Sequence, residues 1–180
     1  MTPNDLSKLK PIKLLILDVD GVLTDGRIVY SDNGEEIKTF DVKDGLGIRL
    51  LLDMGIHVSI ITGRHSKALH YRCKDLGISS IFEGISDKTA VLNTLIKQTD
   101  LTPEQMAAIG DDLPDIPLMN AIGCAIAVAD AHEMVRNHAD MVTLAKGGNG
   151  AVREVSEAIL KAQGYWNVIL EKWSSTKNRL

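Results

Sequence analysis

Cysteine is scarce in this chain. Only Cys73 and Cys124 occur among 180 residues, and their separation does not match the Cys-x-x-Cys spacing of metal and redox motifs. The sequence therefore lacks a disulfide framework, which excludes a small disulfide-stapled secreted domain and suits a reducing cytosol. We expect both thiols to be buried in the core.

Long hydrophobic runs and an excess of basic residues are also missing. Residues 1–10 contain no apolar signal-peptide region, and no stretch approaches the roughly 20 apolar residues that span a bilayer. The formal net charge of -4 does not fit a nucleic-acid-binding surface, which is typically basic. We therefore predict a soluble cytoplasmic protein with one domain over residues 1–180, and neither a membrane nor a nucleic acid as partner.

Short apolar runs alternate with helical patterns along most of the chain. A Leu/Ile run over 13–17 is typical of a buried parallel strand. The alternation indicates helices on both faces of a parallel sheet, so we predict the α/β class and a Rossmann-like doubly wound sheet. Gly77 is the expected end of one helix. The further predicted strands are 57–61, 80–82, 106–109, 125–128 and 141–143, and the predicted helices are 44–54, 66–76 and 87–97.

One segment interrupts this alternation. Residues 27–30 and 35–40 have the pattern of two short strands about an Asn33-Gly34 turn, which predicts a β-hairpin insertion over 27–40 after the first strand. A two-stranded hairpin is only marginally stable alone in water, so it must pack against the body of the protein or against another subunit. We favour the second and interpret 27–40 as an oligomerisation element.

Two further segments differ in composition from the rest. The run Gly147-Gly148-Asn149-Gly150 is predicted to be a flexible joint. Beyond it, residues 165–180 form a C-terminal tail that holds both tryptophans of a chain with only 4% aromatic residues.

Two carboxylates follow the first apolar run at once. Asp18 and Asp20 stand at the end of the predicted strand, where ligands bind in open α/β sheets. Residues two apart on an extended chain point to the same side, and Gly21 lets the backbone approach a ligand closely. Such a pair suits a divalent metal and a division of nucleophile and acid–base roles. A capped turn explains one aspartate but not the whole string 18–26.

Three later segments carry compatible chemistry. Thr62 and Arg64 follow another predicted strand and suit phosphate oxygens, although a threonine-glycine pair by itself more often marks a turn. Lys88 stands at the start of a predicted helix, where a cation is unusual and would match a bound anion. Asp111 and Asp112 end a third strand, and Mg²⁺, which prefers oxygen ligands, would relieve their mutual repulsion.

These residues together resemble a known superfamily. The order Asp18-x-Asp20, Thr62, Lys88, Gly110-Asp111-Asp112 is similar to the four sequence motifs of the haloacid dehalogenase phosphohydrolases. The stretches between the motifs are short, so the resemblance implies a member without a cap domain.

The resemblance also implies a role for each motif residue. Asp18 would attack phosphorus to form an aspartyl phosphate, and Asp20 would act as general acid to the leaving group and as base to water. Thr62 and Lys88 would hold the transferring phosphoryl group. The implied ligands of a Mg²⁺ cofactor are the Asp18 carboxylate, the Asp20 carbonyl, Asp111 and, through water or as an outer ligand, Asp112.

A narrower resemblance runs through nearly the whole chain. Residues 17–26, the hairpin, 42–47 and 147–154 are similar to the family of 3-deoxy-D-manno-octulosonate 8-phosphate phosphatases. The resemblance implies a sugar-acid phosphate as substrate, a place in lipopolysaccharide precursor biosynthesis, and a homotetramer in which a neighbour's tail helps to close the site. Phosphatases of nine-carbon sugar acids share the core residues, so that alternative stays open.

Two arginines are candidates for binding the substrate carboxylate. Arg64 and Arg153 suit this role because a guanidinium group binds a carboxylate through two parallel hydrogen bonds. A surface ion pair is an equal alternative for each.

Two other functional classes fit the pattern less well. A response-regulator receiver has the order paired acids, phosphorylated aspartate, threonine and then lysine, whereas in this chain Lys88 precedes the acids at Asp111. A noncatalytic, phosphatase-like oligomerisation domain needs no intact motif residues, yet all of them are present.

Overall fold

A six-stranded parallel sheet forms the centre of the computed structural model, which describes residues 7–175. In chain order the strands, with a separate hairpin as β2 and β3, are β1 (Leu14–Leu17), β2 (Val29–Tyr30), β3 (Glu36–Ile37), β4 (His57–Ile61), β5 (Ser80–Phe82), β6 (Met106–Gly110), β7 (Cys124–Ala127) and β8 (Met141–Val142). The order in the sheet is β5-β4-β1-β6-β7-β8. Each predicted strand of the main sheet is therefore present, within one residue of its expected ends.

Helices cover both faces of this sheet. They are α1 (Val42–Asp53), α2 (Lys67–Leu76), α3 (Leu92–Thr99), α4 (Ile116–Met119), α5 (Glu133–His138), α6 (Ala151–Ala162) and α7 (Trp166–Ser175). Leu15 of β1 belongs to a core cluster with Ile48 of α1 and Ile159 of α6. Its neighbour Leu14 belongs to a second cluster with Leu95 of α3. Because successive strand side chains point to opposite faces, the predicted doubly wound α/β sheet is confirmed.

A glycine in α1 lets this helix lie close to α6. Gly47 is on the buried face of α1. An added Cβ on Gly47 would lie 3.0 Å from the Ser156 hydroxyl and 3.1 Å from the Cα of Arg153. The two helices pack closely at this point, which holds the start of α6 next to α1.

Local residues cap both ends of α2 and the start of the turn before α3. The Ser66 hydroxyl accepts a hydrogen bond from the Leu69 amide, and Gly77 ends α2 in the left-handed conformation, as predicted. The predicted helix 87–97 divides into a 3-10 turn over Lys88–Val91 followed by α3. The Asp87 carboxylate accepts bonds from both the amide and the hydroxyl of Thr89, and these bonds accompany the tighter first turn.

The predicted hairpin is present, but its strands are shorter than expected. Val29 pairs with Ile37 and Tyr30 with Glu36, in antiparallel register. The apolar side chains Val29, Tyr30 and Ile37 are each about half exposed, with Tyr30 at 60%. In one chain this apolar surface is therefore left facing outward.

The glycine-rich run over 147–150 is a packed turn, so the expected flexible joint is wrong. The Gly147 amide donates to Asp130 at 3.0 Å, and the Gly148 amide donates to the Val22 carbonyl at 2.8 Å. An added Cβ on Gly147 would lie 2.5 Å from the carbonyl carbon of Gly21. Glycine is required here for close approach to the loop after β1.

The first part of the tail packs against the body of its own chain. Tyr165 and Trp166 pack against the main core, and Ile169 of α7 is 5% exposed. Residues 176–180, the rest of the predicted tail, lie outside the described residues.

Both cysteines are buried, as expected. Cys73 and Cys124 are at most 1% exposed, and burial raises the pKa of Cys73 to about 11. Within residues 7–175, no helix combines the length and the apolar character needed to cross a membrane.

Candidate active site

Three neighbouring strands bring the sequence motifs together. Because β1 lies between β4 and β6, the residues after these strands meet at one edge of the sheet. Asp18 follows β1, Thr62 follows β4 and Asp111 follows β6. The chain changes direction across the sheet at β1, and such a switch point is where open α/β sheets bind ligands.

Lys88 joins two buried carboxylates at this edge. Its ammonium group donates to Asp18 Oδ1 at 2.6 Å and to Asp115 Oδ1 at 2.5 Å, and the side chain is 6% exposed. Burial raises the pKa of Asp18 to about 6, although the Lys88 charge acts in the opposite direction. Burial alone would lower the pKa of Lys88, but the two carboxylates outweigh it and the pKa lies above its usual value.

Asp115 is the residue of this cluster that sequence reasoning missed. Its Oδ2 accepts from the Asp111 amide at 2.9 Å and from the Asp112 amide at 3.3 Å, while Oδ1 holds Lys88. Its position four residues after Asp111, beyond Pro114, was the available signal, since a tight turn brings such residues together. Asp115 therefore joins the β6 loop to Lys88.

The acidic cluster has the character of a divalent cation site. Carboxylate oxygens of Asp18, Asp111 and Asp115 lie within 4.8 Å of one another, and within residues 7–175 no other such group of metal-ligating side chains occurs. Burial, followed by the charges of Asp18 and Asp115, raises the pKa of Asp111 to about 8. A cation would relieve this repulsion, and an all-oxygen donor set fits Mg²⁺.

Gly21 makes room for Asp111. Gly21 has a φ of +96°, and an added Cβ would lie 2.5 Å from the carboxyl carbon of Asp111. The close approach expected for this glycine is therefore made toward a carboxylate of the cluster.

An open cleft of about 470 Å³ lies over the cluster. Thr62 is buried at its base, and its hydroxyl accepts from the Arg64 amide at 3.3 Å. A separate apolar groove of about 340 Å³ between α1 and α7 contains none of the motif residues. The cleft is lined by Asp18, Asp20, Gly26, Thr62, Gly63, Arg64, Ile85, Ser86, Lys88, Asp111, Asp112, Pro114 and Asp115.

The hairpin contributes a second ionic network to the cleft. Lys38 contacts Asp20 Oδ1 and lies 2.6 Å from Glu36 Oε1. The Arg64 guanidinium donates to Glu36 at 2.9 Å and to the Tyr30 hydroxyl at 3.4 Å. The hydrogen bond from Lys38 lowers the pKa of Glu36 most strongly. Burial acts to lower the pKa of Lys38, but its bonds to Asp20 and Glu36 raise it above the usual value.

Similarity to known proteins agrees with this geometry. A family model of haloacid dehalogenase-like hydrolases matches residues 79–155. Over 164 residues the chain is 48% identical to the 3-deoxy-D-manno-octulosonate 8-phosphate phosphatase of Salmonella typhimurium, covering 91% of this chain and 87% of that protein. The chain belongs to this phosphatase family.

Solved structures of the phosphatase family share the fold. The 3-deoxy-D-manno-octulosonate 8-phosphate phosphatase of Yersinia pestis matches with a TM-score of 0.91 at 46% identity, over 93% of this chain and 90% of that chain. The corresponding protein of Moraxella catarrhalis, solved with a magnesium ion, a phosphate ion and a KDO molecule, matches with a TM-score of 0.93 at 43% identity, over 96% and 99%. The expected superfamily and fold are confirmed, and this chain is a phosphatase.

The described part of this phosphatase has only small insertions between its motifs. Between β1 and β4 the insertion consists of the hairpin and α1, and between Lys88 and β6 it consists of α3 and short turns. The cleft is therefore bounded by the sheet edge and the hairpin, without a cap domain in residues 7–175.

Not every predicted site residue of this phosphatase reaches the acidic cluster. The Asp20 carboxylate faces the hairpin network, and Asp112 lines the cleft while accepting from the Leu113 amide. Arg153 is not among the residues that line the cleft; it donates to Glu157 at 2.7 Å and lies over the Trp166 ring. Thus Arg64 reaches the cleft of its own chain and Arg153 does not.

Proposed function

We propose that this chain is a Mg²⁺-dependent phosphomonoesterase that hydrolyses 3-deoxy-D-manno-octulosonate 8-phosphate to KDO and phosphate, in the cytoplasmic synthesis of lipopolysaccharide precursors. The observation that carries the proposal is the Asp18 carboxylate held by Lys88 beside Asp111 at the base of an open cleft. The named activity of the Salmonella typhimurium relative supports the substrate, as does the KDO molecule in the Moraxella catarrhalis structure.

The reaction proceeds in two displacements at phosphorus. An oxygen of Asp18 attacks the phosphorus, the bond from phosphorus to the sugar oxygen breaks, and an aspartyl phosphate forms. Asp20 gives a proton to the departing sugar oxygen. Asp20 then takes a proton from water, which attacks the same phosphorus and releases phosphate, so that the Asp18 carboxylate is restored.

Two side chains at the base of the cleft support the transferring phosphoryl group. Lys88 orients Asp18 and supplies positive charge, and the Thr62 hydroxyl donates to a phosphoryl oxygen. Both groups are buried, where an electrostatic interaction is stronger than in water.

The carboxylates fit a magnesium ion at this site. We assign the Asp18 and Asp111 carboxylates and the Asp20 carbonyl as its ligands, with Asp112 acting through water. Asp115 is already engaged by Lys88 and by two amides, so it positions the cluster rather than binding the ion. When bound, the ion offsets the negative charge that accumulates between carboxylate and phosphate.

Recognition of the sugar acid is assigned to the outer part of the cleft. The Arg64 guanidinium is 40% exposed and suits a substrate carboxylate. Arg153 lies away from the cleft lining of its own chain, so we restrict this role to Arg64.

We further propose a homotetramer in which residues 27–40 associate between subunits. The half-exposed Val29, Tyr30 and Ile37 form an apolar surface suited to such contacts. A neighbouring subunit would then form one side of the cleft, which has no cap domain over it in residues 7–175.

Phosphate release across a substrate panel tests the function. We expect the eight-carbon sugar-acid phosphate to be preferred over nine-carbon sugar-acid phosphates and simple sugar phosphates. Chelation of metal and the Asp18→Asn variant should each abolish turnover. The matched control is Asp75→Asn, the same change at an exposed aspartate, and it should retain turnover.

Each other outcome has a definite meaning. Full activity of Asp18→Asn would reject the aspartyl-phosphate mechanism. Preference for a nine-carbon substrate would assign the related activity. No release from any phosphate monoester by the Mg²⁺-loaded protein would favour a noncatalytic oligomerisation domain.

A further inference from the structure

Lys38 is a buried cation at the rim of the cleft. Its side chain is only 3% exposed, although it belongs to the hairpin, whose apolar residues are half exposed. Burial of an ammonium group is unfavourable unless it is paired, and Lys38 is paired with both Asp20 and Glu36. This arrangement differs from a solvated surface ion pair, which contributes little.

The two oxygens of Asp20 have different surroundings. Lys38 donates to Oδ1. Oδ2 is buried and has no hydrogen-bond partner within residues 7–175; the Arg64 Nε atom, 3.7 Å away, is beyond hydrogen-bond distance. Asp20 lines the cleft, so the contact with Lys38 at Oδ1 fixes the direction in which this carboxylate is presented there.

Glu36 fixes Lys38 in turn. Its carboxylate contacts Lys38 through one oxygen and accepts from Arg64 at 2.9 Å through the other. Glu36 lies in β3, paired with Tyr30 of β2. The hairpin is thus linked to the Asp20 side chain through Lys38, which Glu36 of the same hairpin also contacts.

We propose that Lys38, held by Glu36, is a positioning residue that orients the Asp20 carboxylate for proton transfer to the leaving sugar oxygen; this rests on the general-acid role given to Asp20 above. The hairpin therefore shapes the chemical step as well as the surface of the protein. A general acid must lie within hydrogen-bond reach of its proton acceptor, so loss of orientation slows the step directly.

The leaving group provides the test. A sugar oxygen needs a proton as it departs, whereas p-nitrophenolate is stable without one. The parameter kcat/KM reports the first phosphoryl transfer and excludes the later hydrolysis of the aspartyl phosphate. We therefore compare kcat/KM for the sugar-acid phosphate, for a simple alkyl phosphate and for p-nitrophenyl phosphate, using the Mg²⁺-loaded full chain.

The main variant is Lys38→Met, which removes the charge and keeps the length. We expect kcat/KM to fall by about 10²-fold on both alkyl substrates, the size of effect that a misplaced group produces, and by much less on p-nitrophenyl phosphate. On the sugar-acid phosphate the loss should lie in kcat, with KM little changed. Lys38→Arg should recover part of the activity, and Lys97→Met, the same change at an exposed lysine of α3, should have no effect.

Asp20→Asn separates the two proposals. If this variant shows no selective loss on alkyl phosphates, Asp20 is not the general acid and the proposed mechanism fails. If Asp20→Asn shows that loss but Lys38→Met lowers kcat/KM equally on all three substrates, or changes only KM, the positioning role of Lys38 is rejected. If the Lys38→Met protein does not fold, Glu36→Gln replaces it in the test. That variant should show the same selective fall of kcat/KM on the alkyl phosphates, but a smaller one.

Discussion

The backbone of Gly147 packs directly against the carbonyl group of Gly21. An added Cβ on Gly147 would lie 2.5 Å from the carbonyl carbon of Gly21, and one on Gly21 would lie 2.5 Å from the carboxyl carbon of Asp111. Three segments distant in sequence therefore lie close together, because neither glycine carries a side chain. The turn before α6 supports the first acidic loop from behind, and that loop in turn limits where Asp111 lies.

Gly147→Ala should disrupt this stack. The new methyl group meets backbone atoms, which cannot rotate away, so we expect a loss of about 1–3 kcal/mol in the free energy of unfolding, as for other overpacked sites. Phosphatase activity should fall with it. Gly55→Ala is the control, because Gly55 has a φ of +77° but no atom within 4 Å of an added Cβ. That variant should lose stability and retain kcat/KM; equal kinetics in both variants would contradict the support role.

Asp115→Asn should weaken the anchoring of Lys88. The variant leaves a buried ammonium group with Asp18 as its one remaining carboxylate partner among the described residues. We expect a loss of about 2 kcal/mol, as for a hydrogen bond to a charged group, and a lower kcat. Denaturant unfolding and steady-state kinetics measure the two effects, with the exposed Asp75→Asn as control. If the free energy of unfolding and kcat are both unchanged, Asp115 does not help to hold Lys88 in the site.

The effect of Mg²⁺ on stability should grow with pH. The pKa of Asp18 is raised to about 6 and that of Asp111 to about 8, from an ordinary value of 3.8. Between about pH 4 and pH 8 the metal-free folded protein therefore holds more protons than the unfolded chain, so its free energy of unfolding falls as pH rises.

Mg²⁺ binds the ionised carboxylates and should oppose this fall. We expect the rise in Tm caused by Mg²⁺, relative to chelator, to be small near pH 4 and larger near pH 8. In the Asp111→Asn variant the rise in Tm caused by Mg²⁺ should no longer differ between pH 4 and pH 8. A rise in Tm that is the same across this range would show that these carboxyls do not titrate with metal binding.

The hairpin surface should control assembly. Ile37→Glu adds a charge to the half-exposed apolar surface, so we expect dissociation of the proposed tetramer and poorer discrimination among sugar phosphates. Light scattering measures the mass. Leu144→Glu is the control, because Leu144 is 89% exposed and lies outside the hairpin. A wild-type monomer with full discrimination would refute a site shared between subunits.

Two truncations should separate the roles of the tail. Removal of residues after Gly164 takes Ile169 out of the core, so the Tm should fall. Removal of the residues after Ser175 leaves α7 intact, so the Tm should not change. If residues 176–180 close a neighbour's site, this shorter truncation should change KM or the rate of product release. Unaltered kinetics in the shorter truncation would exclude such closure.

Local patterns predicted much of the fold. Apolar runs of three to five residues marked the strands, and Gly77 marked the end of α2. Burial and capping depend on nearby residues, which is why these predictions were confirmed. The packed turn at 147–150 was not predictable in this way, because its conformation depends on contact with Gly21, more than 100 residues away in sequence.

By itself the sequence determined which chemical groups stand at which strand ends: Asp18 and Asp20 after β1, Thr62 after β4, and Asp111 after β6. A parallel sheet places such ends at one edge, so convergence could be predicted from pattern alone. Only the tertiary structure decided the partners. Lys88 pairs with Asp115 as well as with Asp18, and Lys38 of the hairpin pairs with Asp20. Each buried ammonium group needs carboxylate partners, and these come within reach only when the chain folds.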